Sequence, residues 1–115
     1  MNSVLKELSA VREHCSRPDW DGYHAHSISL TSLERAEQFA RAKIAGCSTP
    51  SVGVDALTGV VSFRWGSIRR NYLSVSFPND GVDAVTCLIG ENGVFSERKV
   101  SVDSAEFGQI MEGCR

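Results

Sequence analysis

A chain of 115 residues suits one domain built round one core, residues 1–115, and 42% apolar with 23% charged residues excludes wholesale disorder. The formal net charge is −2, with Lys and Arg spread evenly over both halves, which excludes a global field that would attract nucleic acid or an anionic membrane. No apolar run approaches the ~20 residues needed to span a bilayer, and residues 1–7 lack the basic start and apolar block of a secretion signal.

Val4, Leu5, Leu8 and Val11 follow helical spacing, so residues 2–15 read as an amphipathic helix that Ser3 can cap. Pro18 fixes its own φ and biases Arg17 away from helix, so the helix must end before it. The stretch Asp19-Trp20-Asp21-Gly22-Tyr23-His24-Ala25 follows. Asp21-Gly22 is a turn dipeptide, flanked by two aromatics that each bury roughly 150–250 Å² when packed inward. Two readings apply: a plug that pins the loop to the fold, or a recognition loop with Trp20 and Tyr23 as anchors and the aspartates as polar contacts.

Thr31 and Glu34 form an S/T-x-x-E capping box, and Leu33, Ala36, Ala40 and Ile44, widened by Phe39, form an apolar stripe. A second helix is expected over residues 32–45, with Gly46 as its stop. From Ser51 the period changes to two. Val52 and Val54 begin a strand, and residues 55–59 turn it. Val61, Phe63 and Trp65 face one way on the next strand, and Leu73, Val75 and Phe77 on the third. Arg64, Tyr72, Ser74 and Ser76 face the other way. Pro78-Asn79-Asp80-Gly81 is a turn, residues 82–89 form a fourth strand, Asn92-Gly93 signals a hairpin, and residues 94–100 form a fifth. Asp103 and Glu106 resemble a cap for a short final helix with Phe107, Ile110 and Met111 on one face.

Turns this short join antiparallel neighbours, because a parallel return needs a crossover of a dozen or more residues. The expected fold is therefore α+β in two layers: a five-stranded antiparallel meander, with two N-terminal helices and a short C-terminal helix on one face.

The chemistry-bearing residues form no catalytic signature. His14, Cys15, His24 and His26 lie close in sequence, but the adjacent pair diverges on a helix, so a tetrahedral zinc shell is not expected. No family-type signature surrounds any cysteine, and Asp19 and Asp21 are turn acids. Widely spaced Cys15, Cys47, Cys87 and Cys114, without an export signal, are expected to be reduced, with Cys87 in the core and Cys114 exposed. The glycines match no phosphate-binding pattern. No cofactor, metal or catalytic residue is predicted. Arg64, Arg69, Arg70 and Tyr72 gather round the turn after Trp65, with Arg98-Lys99 on a strand that could lie nearby, an arrangement able to bind phosphate or stack on bases.

The motif Trp20-Asp21-Gly22-Tyr23-His24-Ala25, a following helix, and the strand Gly59-Val60-Val61-Ser62-Phe63-Arg64-Trp65 resemble a diffuse group of small bacterial proteins. These carry a W-D-G-[YE]-x-A signature and are often encoded on mobile elements and gene cassettes. The likeness covers residues 17–77; the proline usual after the alanine region is absent. The group has no established activity, so the resemblance implies a bacterial, cytoplasmic, accessory protein and carries over no catalytic residue.

Together these features predict a non-enzymatic module that binds a macromolecule, foremost an unknown protein partner, with a homodimer through an edge strand or the open sheet face as one form. The candidate residues are Trp20, Asp21, Tyr23, Arg64, Arg69, Arg70 and Tyr72. Nucleic-acid binding through Arg64, Arg69, Arg70 and Tyr72 is the alternative. A third reading is a small-molecule pocket between helices and sheet, lined by Trp20, Phe39 and Trp65. No membrane partner is expected.

Overall fold

The computed structural model describes residues 2–20, 22, 26–42, 47–66, 71–78 and 84–112. Their elements run α1 (Asn2–His14), α2 (Leu30–Ala42), β1 (Ser51–Val54), β2 (Val61–Gly66), β3 (Asn71–Phe77), β4 (Ala84–Glu91), β5 (Val94–Ser101) and α3 (Ala105–Met111). The strands lie in chain order β1-β2-β3-β4-β5, each antiparallel to the next. The expected two-layer α+β meander is the fold.

One face of the sheet makes the core. Val61, Phe63, Trp65, Leu73, Val75, Phe77, Val85 and Cys87 are buried there with Val4 and Leu8 of α1, Leu33, Ala36, Phe39 and Ala40 of α2, and Phe107 and Met111 of α3. Phe39 is the hub. Its ring lies 5.8 Å from Phe63, 5.4 Å from Phe77 and 5.8 Å from Phe107, so α2, the sheet and α3 meet at one side chain. Tilted and edge-on pairs of this kind add to the burial of the rings themselves.

Two helix starts differ from expectation. α2 begins at Leu30, two residues early, because Ser29 is its cap: the Ser29 Oγ accepts from Ser32 N at 3.2 Å. The Thr31–Glu34 box therefore falls inside the helix. α3 is capped by Ser104 rather than Asp103, its Oγ accepting from Phe107 N at 3.1 Å. In both, a serine hydroxyl reaches the orphan amide three residues on. β4 is described from Ala84 to Glu91, and the expected start at residue 82 lies outside the described residues. Ser3 lies within α1, which already includes Asn2, so it does not cap that helix. The Asn92-Gly93 turn forms as expected, with φ of 52° and 84° and Glu91 facing Val94.

Cys15 and Cys87 are buried free thiols. Cys47 is disulfide-bonded, which corrects the expectation of reduced cysteines throughout. The sequence carries no C-x-x-C spacing that would have indicated it. Cys114 lies outside the described residues. No helix among the described residues is long and apolar enough to cross a membrane.

Candidate functional site

The second face of the sheet is covered by none of the described helices. Strand alternation and register place its side chains in three rows. Arg64, Ser74, Leu88 and Glu97 stand side by side across β2, β3, β4 and β5. Ser62, Ser76, Thr86 and Lys99 form the row on one side of it, and Gly66, Tyr72, Gly90 and Phe95 the row on the other. The middle of the face is small and hydroxylic, while the charges sit on β2 and β5. Ser74, expected on the wet face, is only 8% exposed, because Arg64 and Leu88 flank it in register.

Two features give this face relief. Tyr72 and Phe95 meet edge to face, with centroids 6.0 Å apart, over Gly90. A Cβ on Gly90 would lie 2.6 Å from the Phe95 ring and 3.3 Å from Tyr72 Cβ, so only glycine leaves room for the pair. Phe95 remains 42% exposed. At the other side the Arg64 guanidinium lies over Gly53, where a Cβ would come within 2.6 Å of Nη2. Neither Arg64, Glu97 nor Lys99 makes an ion pair or side-chain hydrogen bond among the described residues.

Arg64 and Tyr72 come together as expected. They line one cleft of about 390 Å³ with Ser48, Thr49, Ser51, Trp65 and Gly66. Arg98 and Lys99 do not join them. Both lie on β5, separated from β2 by two strands, and the Arg98 side chain faces the helices, where Nη1 is 3.9 Å from Glu106. Arg69 and Arg70 lie outside the described residues, as do Asp21, Tyr23 and His24.

Trp20 is half-buried. Its indole N–H donates to His26 O at 2.8 Å, its ring meets His14 edge-on at 5.9 Å, and it packs against the core. The segment after it pairs with the β1–β2 turn: His26 N donates to Ala56 O and Ser29 N to Gly59 O, at 2.6 and 2.8 Å. Gly59, with φ 75°, permits that close approach. The Trp20 side chain thus packs against the core while staying part-exposed.

Neither cleft at Trp65 is lined by Trp20 or Phe39, the residues expected to share a pocket with it. Phe39 is 4% exposed and enclosed by other phenylalanines. Trp65 instead borders a second cleft of about 390 Å³ between sheet and α3, with Leu73, Ile89, Glu91 and Ile110. Its indole N–H is taken by Ser48 O at 2.7 Å and is not available to a ligand. Among the described residues no three His, Cys, Asp or Glu side chains converge as a metal site.

Burial raises the Cys15 thiol and pushes the Cys87 thiol up to about 11, the Glu106 carboxylate adding to the latter. Both are poor nucleophiles at neutral pH. No protein-family model, curated protein or solved structure matches the chain.

Proposed function

We propose that this protein is a non-enzymatic accessory module that binds another protein through the open face of its sheet. The observation that carries this reading is the sheet face that none of the described helices covers, with Arg64, Glu97 and Lys99 making no ion pair among the described residues and the Tyr72–Phe95 ridge partly exposed. Aromatic rings and arginine are the side chains that most often dominate binding energy at interfaces. A bacterial, mobile-element origin and a cytoplasmic location belong to the same reading. The disulfide at Cys47 weighs against the cytoplasm, since such bonds persist mainly in oxidising compartments.

The test is a photo-crosslinking residue placed at Ser76, on the open face, and separately at Lys6, on α1. Capture of a defined protein in the native host from position 76 but not from position 6 is expected. Equal capture from both, or none from position 76, refutes the reading.

One observation favours a second reading. Arg64, Tyr72 and the hydroxyl-bearing Ser48, Thr49 and Ser51 share one cleft, a set able to hold an anionic group such as a nucleic-acid phosphate. It predicts affinity for single-stranded oligonucleotide that falls steeply with salt. The net charge of −2 weighs against it.

A further inference from the structure

The central row of the open face is charged at its two ends with opposite sign: Arg64 on β2, Glu97 on β5, Ser74 and Leu88 between them. Three strand spacings separate those ends, roughly 14 Å. The two charges cannot pair within one molecule, and neither has another partner among the described residues. We propose that the protein binding by this face is self-association: two copies stack open face to open face about a two-fold axis running along the strands between β3 and β4. The proposal rests on the open-face reading above and names its partner as a second copy of this chain.

The register selects this axis. A two-fold along the strands maps β2 onto β5 and β3 onto β4 while keeping each row in place. Arg64 then lies over Glu97 of the second copy, and Glu97 over its Arg64, giving two ion pairs from one symmetry operation. Ser74 lies over Leu88, Ser76 over Thr86, and Lys99 over Ser62, so no like charges face each other. The two Tyr72–Phe95 pairs come together across the axis as the aromatic part of the contact. The other in-plane two-fold, across the strands and along the same row, would set Arg64 on Arg64 and Glu97 on Glu97. Aligned sheets cross at about 30°, which displaces the outer strands by a few ångström, within reach of an arginine and a glutamate side chain.

The contact is small. The face from β2 to β5 measures roughly 15–20 Å by about 20 Å, so two copies cover on the order of 800 Å² in all, at the low end for a specific interface. A contact of this size marks the dimer as weak and concentration-dependent.

Sedimentation equilibrium of the full chain from ~10 μM to ~1 mM tests this, with circular dichroism confirming that each variant folds. The unmodified chain is expected to pass from monomer towards dimer. Arg64→Glu and Glu97→Arg should each raise Kd about tenfold or more, and the double variant R64E/E97R should restore it. A chain that stays monomeric at ~1 mM overturns the proposal. So does a dimer indifferent to both charge reversals, as pairing through the β5 edge would give, or a double variant no tighter than the single ones. A monomer that still crosslinks a different protein from position 76 refutes self-association and leaves the open-face reading standing.

Discussion

Cys87 has no exposed surface, and its sulfur sits where β4 faces the helices, with the Glu106 carboxylate as its charged neighbour. Removing its proton would leave a buried thiolate near another anion, so the folded state holds the proton up to about pH 11, against about 9 in the unfolded chain. Between these values the folded state binds more protons than the unfolded one, so stability declines as pH rises. The contribution is fully present below pH 9 and lost through pH 11, with a ceiling of about 3 kcal/mol for two pH units. Denaturant unfolding from pH 8 to 11 should show this decline, and Cys87→Val, which cannot titrate, should give a flatter profile. Identical profiles would mean the thiol is not what resists ionisation. At this scale the sequence was partly legible. Alternation placed Cys87 in the core, but nothing in spacing revealed the disulfide at Cys47, because a pairing depends on where the fold brings distant segments.

Element boundaries were legible wherever local chemistry determines them. The Asn92-Gly93 hairpin and the alternation of β2 and β3 needed no tertiary information, because turn residues and period-two burial act over a few neighbours. The helix caps were misplaced by one or two residues, because Ser29 and Ser104 compete with equally plausible neighbours and packing decides between them. Arg35 was missed as a structural residue. It lies on the flank of α2, and its guanidinium donates to Pro78 O at 2.6 Å and Ala84 O at 2.7 Å. These carbonyls end β3 and begin β4, so one side chain ties both strands to the helix. Hydrogen bonds from a charged donor contribute about 1.5–3 kcal/mol each, and truncation leaves the two carbonyls to find water. Arg35→Ala is expected to destabilise the protein by about 2–4 kcal/mol in denaturant melts. Arg35→Lys should recover only part, because an ammonium cannot span two carbonyls in the fixed fork of a guanidinium. A loss below about 0.5 kcal/mol in Arg35→Ala would show that the strand ends hold without it.

The whole molecule is a meander whose sheet neighbours are also chain neighbours, and its long-range organisation depends on the helices closing over one face. That explains why the fold class and the open face of β2 and β3 could be read from order, turn length and alternation, whereas the rows that cross that face could not. The pairing of Arg64 with Ser74, and of Leu88 with Glu97, is a matter of register, which appears only once the strands align. α2 and α3 meet at Phe39, which touches the sheet and α3 at once. Replacing a buried Phe by Ala costs about 3–5 kcal/mol, against a total of roughly 6–17 kcal/mol for a domain of this length. With an unfolding entropy near 2.1 cal/mol/K per residue, Phe39→Ala should lower Tm by roughly 12–20 °C in a calorimetric scan. Because the hub is shared, the loss should fall on the entire molecule, with one transition and matching calorimetric and van't Hoff enthalpies. Two separated transitions in that variant, α3 leaving before the sheet, would mean that the C-terminal helix is an independent layer and that Phe39 does not join it to the rest.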